Sequence, residues 1–211
     1  MMTTRKDINS KFDLTDITQA VIWDKSDYNI VIKHFARTRE AQQRKDRKLL
    51  MDLIDSVDIT IDRFKNDQTL SDPIPIEVIE KKDLVVAAGR TRCAELITGY
   101  SSETFDNMAV GTSQITPQDS DWKLYEEVGR VSSQQTGFVS PSGSVMKHVA
   151  TFSLSFPSGI YWEIAPVDFA VENDEQSILA RVVFSADKPA VHTSTEDFFT
   201  VHHSTFTSSS A

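Results

Sequence analysis

Residues 144–156 read SVMKHVATFSLSF, and in this run Phe152, Leu154 and Phe156 alternate with Thr151, Ser153 and Ser155. A period of two puts apolar side chains on one face of a strand and hydroxyls on the other, so the run predicts a strand with one buried and one wetter side. Turn-forming strings flank it, SPSG at 140–143 and FPSG at 156–159. The same grammar continues on both sides. FDNMAVGT, KLYEEVGRVSS, IYWEIAPVDFAVE, SILARVVFS and DFFTVHHSTF are strand-like, and ENDE at 172–175 is a further turn. About six strands at this spacing predict an antiparallel β-sandwich.

Glycine and proline divide the chain. The first proline is Pro73 and the first glycine is Gly89, and both recur from there onward. A stretch without either suits long helix, and regular punctuation suits turns between short strands. The expected class is therefore α+β, mainly β. A helical or extended anchoring and assembly segment over residues 1–82 precedes a β-sandwich over 83–211 with one packed helix. In the first part, Leu49, Leu50, Leu53, Ile54 and Val57 recur at helical spacing, which predicts a helix over 37–56. Upstream, Ile17 and Val21–Trp23, then Ile30–Ile32 and Phe35, form two apolar patches around DKSD. Short helices or arm-like strands fit them equally. Val57, Ile59 and Ile61 alternate as a strand does; NDQTLSDP reads as a loop, and Ile74, Ile76 and Val78 alternate again. Asp83 is placed to cap a helix from Leu84 to about Thr98, with Gly99 as its stop. Small residues along it, in LVVAAGRTRCAELITG, would let it lie close against a sheet.

Charge narrows the function. The chain of 211 residues carries a net charge of −9. Residues 1–82 hold 15 basic and 15 acidic side chains, whereas 83–211 hold 7 and 16. An acidic β half repels phosphate backbones. The basic cluster Arg37, Arg39, Arg44, Lys45, Arg47 and Lys48 has no interleaved aromatics and includes Glu40 and Asp46, which reads as a solvated helix face. Neither a nucleic acid nor a membrane is an expected partner. No run approaches the roughly 20 apolar residues of a membrane-spanning helix, and MMTTRKDINSKFD lacks a secretory apolar core. With Cys93 as the one cysteine, an intramolecular disulfide is excluded.

Chemistry-bearing constellations are thin. There is no HExxH, CxxC, P-loop, GxGxxG or G-x-S-x-G string. Adjacent His202 and His203 point to opposite faces of a strand, so they cannot hold one metal ion together; His203 could meet His192 across a hairpin. The expectation is no catalytic residue, no cofactor and no metal. Arg181, between Ala180 and Val182, could pair with Glu163 on a neighbouring strand or stand exposed. Trp122 and Tyr125 are candidate sugar contacts, because rings stack on apolar sugar faces. Val21, Ile22, Trp23, Ile30, Ile32 and Phe35 are candidate assembly-interface residues. Gly111 after Val110 suits a strand end that needs a permissive backbone.

From Asp83 to Phe206 the order of four stretches is recognisable: the helix LVVAAGRTRCAELITG; MAVGTSQITPQDSDWKLYEEVGRV; WEIAPVDFAVEN; and SILARVVFS followed by DFFTVHHSTF. This order resembles a β-sandwich domain of structural proteins from tailed bacteriophages and tailed archaeal viruses, of the tail-fibre or tail-tip associated kind. Ala165, Pro166 and Val167 depart from the glycine and leucine usual in the third stretch. The resemblance implies a non-enzymatic virion protein in the tail, baseplate or fibre, assembled in the host cytoplasm. It implies a homo-oligomer, with a trimer favoured, alongside other virion proteins. A capsid vertex turret or head decoration protein is one alternative. A carbohydrate-binding receptor-recognition module, with a host surface glycan as partner, is another.

Overall fold

A computed structural model describes residues 12–33, 76–140, 143–169, 176–184 and 190–209. The fold is mainly β and antiparallel, as the alternation predicts. Among these residues nine strands form one sheet, in spatial order β2-β1-β11-β6-β5-β4-β8-β9-β3. They are β1 (Phe12–Asp24), β2 (Glu77–Lys82), β3 (Leu84–Val85), β4 (Asn107–Gly111), β5 (Glu127–Ser140), β6 (Gly143–Phe152), β8 (Glu163–Val167), β9 (Ala180–Val183) and β11 (Asp197–Ser209). The short pair β7 (Gly159–Tyr161) and β10 (Val191–Thr193) forms a second sheet. The two edges of the large sheet, β2 and β3, are consecutive in the chain with Asp83 alone between them. The sheet therefore nearly closes on itself, and Asp83 sits at the seam.

Alternation sorts side chains to the two faces. Ala20, Ile22, Ile79, Met108, Val110, Ala150, Phe152, Ile164, Val182, Phe199 and Val201 turn inward and form the main core. Phe152 and Phe199, register partners on β6 and β11, stack with ring centroids 4.4 Å apart. Tyr161 and Val191 from the short sheet join the same core. On the opposite face, Val21, Trp23 and Phe198 pack with Tyr28 and Val31 of the helical residues 28–33. At the other side of the molecule α1 (Ala87–Thr98) covers the outer face of β4 and β8. The register partners Ala109 and Ala165 lie in that contact and are small enough to admit it. A Cβ at Gly89 would collide with the Leu179 carbonyl, so the small-residue stripe does bring the helix close.

Several expectations need correction. The segment expected over residues 1–82 does not stand wholly apart from the β domain, because its described strands β1 and β2 belong to the same sheet: Ala20 pairs with Val201 on one side and Ile79 on the other. Val21, Ile22 and Trp23 are buried inside this chain and are not available as an assembly surface. The first apolar patch is strand and the second, over 28–33, is helical. Ile30 is 54% exposed and Ile32 partly buried, while Phe35 lies outside the described residues, as do 37–56 and 57–61. Asp83 caps no helix: α1 starts at Ala87 behind Val86, and the Asp83 carboxylate turns into the seam. Gly99 ends the helix as predicted, with φ 72°. The strand in SVMKHVATFSLSF stops at Phe152, where the Phe156 amide closes a turn onto the Ser153 carbonyl and leaves Leu154 on the surface.

Because β1 lies between β2 and β11, removing residues 1–82 exposes the side of β11 and strips Val21, Ile22 and Trp23 from the core. Each contributes about 1.5–3 kcal/mol of burial against a net stability of roughly 5–15 kcal/mol. The truncated chain is expected to lose its cooperative thermal transition in circular dichroism; a sharp transition near that of the full chain would show that β1 and β2 are dispensable.

Candidate functional site

The densest polar constellation lies on the outer face of β8 and β9, under the loop 112–126. Arg181 is fully buried. Its Nε and Nη2 donate to Glu163 Oε2 at 3.0 and 2.7 Å, and its Nη1 donates to Asp121 Oδ2 at 2.9 Å. The remaining carboxylate capacity is also filled. Glu163 Oε1 accepts the Glu126 amide at 2.8 Å, Glu163 Oε2 accepts the Tyr125 amide at 3.2 Å, and Asp121 Oδ2 accepts the Gln118 amide at 2.9 Å. The Tyr125 ring lies over the guanidinium, 4.6 Å from its centroid, and its hydroxyl donates to Asp121 Oδ1. A buried charge is tolerable only when paired and hydrogen-bonded throughout, and here each group ties the loop to the sheet.

Local sequence explains why these groups meet. Alternation along β9 sends Val182 into the core and Arg181 to the other face, where β8 presents Glu163. Gly111 ends β4 at a register shift beside Glu163. A Cβ there would strike the Glu163 carboxylate and the Glu126 carbonyl. Its role is to make room, not to supply the unusual backbone angle expected of it, since Gly99 alone among the described glycines has positive φ. Pro166 in β8 has no N–H to donate, and its carbonyl accepts the Leu179 amide at 3.0 Å.

A second buried cluster sits at the seam. Thr18, His203 and His148 are register partners across β1, β11 and β6. Thr18 donates to Asp83 Oδ2 at 2.5 Å, and His203 Nδ1 lies 2.9 Å from that same oxygen. The His148 ring meets His203 edge-on at 5.9 Å. Burial, and then the charge of His203, lower the His148 pKa from 6.5 to about 3, against a smaller opposing contribution from the Phe105 backbone. His148 is thus neutral near pH 7. His202 and His203 do face opposite ways: His202 Nε2 meets Thr200 Oγ1 at 3.0 Å, and that hydroxyl accepts Trp23 Nε1. The His192 side chain lies outside the described residues. Among the described residues no group of three His, Cys, Asp or Glu is placed to hold a metal ion.

Flanking ion pairs brace the strand ends. Arg130 bridges Glu127, the Phe169 carbonyl and Gln176. Arg92 lies 3.0 Å from Asp168, whose pKa is raised chiefly by burial. Of the candidate sugar contacts, Trp122 is 38% and Tyr125 50% exposed. One face of each ring is approached by a cation, Lys123 over Trp122 and Arg181 over Tyr125. Of the two readings open for Arg181, pairing with Glu163 and exposure, the structure has the first, whereas Asp121 and the His148–His203 row had no counterpart among the expectations. Asp121 reaches Arg181 from a loop 60 residues away, and the histidine row depends on strand register that no local string encodes.

Comparison of the chain with protein-family models, curated proteins and solved structures finds no match in any of the three.

Replacing Arg181 with Met would leave the Glu163 and Asp121 carboxylates facing each other without a cation. Breaking a buried pair in this way costs about 3–5 kcal/mol, to be read as a lowered urea midpoint; an unchanged midpoint would mean the network is dispensable. For His148 the sign follows from a lowered folded pKa. Above about 6.5 both states are neutral and stability is complete. Below it the unfolded chain binds a proton that the folded chain refuses. Stability then falls by up to about 1.4 kcal/mol per pH unit, until the pH nears 3. His148→Phe should flatten that part of the stability–pH curve; an unchanged slope would assign it to other groups.

Proposed function

We propose that this chain is a structural protein of a tailed virus particle, a tail, baseplate or fibre component that works by assembly and not by catalysis. One observation carries the reading. The stretches that bear the resemblance supply the groups that build one corner of the fold: Gly89 from LVVAAGRTRCAELITG, Gly111 and Asp121 from MAVGTSQITPQDSDWKLYEEVGRV, Glu163 from WEIAPVDFAVEN and Arg181 from SILARVVFS. These groups form a framework, whose charges hold a loop against a sheet. A module defined by its framework fits a scaffold role.

The surface agrees with that role. Ile97 and Tyr100, at the end of α1, are 86% and 85% exposed. Large apolar side chains standing in water are what a neighbouring protein covers in an assembled particle. The anchoring surface is no longer the Val21–Trp23 patch, so attachment to the particle belongs to other parts of the chain.

Particles released by cells that carry this gene provide the test. Quantitative mass spectrometry of density-purified particles should find the chain at a fixed ratio to the major capsid protein, and antibody-linked gold should mark one part of the tail. Label on the head would favour the turret or decoration alternative. Absence from purified particles would end the virion reading.

A further inference from the structure

Four strands are longer than the closed part of the sheet requires. β4 pairs with β5 only over Asn107–Gly111 opposite Ser132–Glu127, and β2 pairs with β1 only over Ile17–Ile22. Beyond these limits β1, β11, β6 and β5 continue together, in register as far as Phe12 opposite Ser209 and Ser140 opposite Gly143. This four-stranded extension has two outer edges, residues 12–16 of β1 and residues 134–140 of β5. Among the described residues neither edge has a further strand beside it.

The edges differ in chemistry. The β1 edge reads FDLTD and carries Asp13 and Asp16, whereas the β5 edge reads QQTGFVS, with no charge and no proline. An open edge is a row of unpaired N–H and C=O groups that invites another strand, and charged residues are a usual guard against it. One edge here is guarded and the other is not.

We infer that residues 134–140 of β5 pair antiparallel with the same residues of a second copy of this chain, about a two-fold axis at Gly137. Charge selects this occupant. In an isologous contact each group near the axis meets its own copy, so any charge there repels itself. In a chain of net charge −9, this edge is a seven-residue strand segment on which like can face like without cost. Gly137 is its central residue and brings no side chain to the axis. The product is a continuous eight-stranded sheet that ends on both sides at the Asp13 and Asp16 edges, so the assembly closes as a dimer and does not grow into a fibre. A two-fold operator thus replaces the three-fold one expected from the resemblance. The inference rests on backbone pairing and charge, and holds or fails apart from the virion reading.

Light scattering on the full chain tests it with two variants. The wild type should have the mass of two copies. Gly137→Asp sets two carboxylates directly opposite each other across the axis, and the mass should fall to one copy with an unchanged circular dichroism spectrum. Gly137→Cys, in a Cys93→Ser background, should form a cross-linked dimer under mild oxidation, because directly opposed strand residues lie within the roughly 4.4–6.8 Å Cα separation a disulfide spans. A monomeric or trimeric wild type overturns the inference, as does a Gly137→Asp protein that stays dimeric. If Gly137→Asp fails to fold, the Gly137→Cys result decides: cross-linking supports the pairing, and its absence from an otherwise dimeric protein rejects it.

Discussion

A guanidinium buried away from water has to have its charge met by the protein, and Arg181 is met from three directions at once. Glu163 reaches it from the next strand, Asp121 from a loop, and the Tyr125 ring closes over it. The cost of burying this charge makes the arrangement all-or-none. The loop 112–126 cannot lift without stranding the arginine, and β8 and β9 cannot slip without parting it from Glu163. Gly111 follows from the same demand, since the Glu163 carboxylate occupies the space a side chain would take. Packing of α1 depends on it as well, because Ala87 donates to the Asp119 carbonyl in that loop.

The seam at Asp83 is the second constraint, and it works by economy of chain. A sheet that curls until its two edges approach needs something to join them. Here one continuous segment supplies both edge strands, and a single carboxylate turns inward at the change of partner. Thr18 and His203 take up that carboxylate from β1 and β11. The neutral ring of His148 fills the row behind them. Polar side chains at one end of an apolar core fix register: slipping β11 by one residue would turn His202 inward and remove His203 from Asp83.

Legibility in the sequence tracked the range of the interaction. The strands of the C-terminal half were readable because alternation is local, as in Phe152 against Thr151, and the stop at Gly99 was readable because a helix end needs only its own residues. Arg181–Glu163 was within reach because both sit on strands recognisable as neighbours. Asp121 was not, since loop conformation placed it. Val21–Trp23 misled for a related reason. Apolar residues on both faces of a segment read as an unpartnered patch, whereas a central strand covered on both sides has the same pattern.

The sequence by itself therefore determined the antiparallel β class, the helix stop at Gly99, the opposed faces of His202 and His203, and the exclusion of an intramolecular disulfide. These follow from periodicity, backbone preference and composition, which act over a few residues or over the whole chain without regard to path. Only the tertiary structure decided that the N-terminal strand lies inside the sheet, that Asp83 closes a seam and caps no helix, and that Asp121 completes the arginine network. Each depends on segments brought together from 60 to 185 positions apart, and such pairings are selected by the cost of leaving buried charge and backbone unpaired, a cost that exists only once the chain has folded.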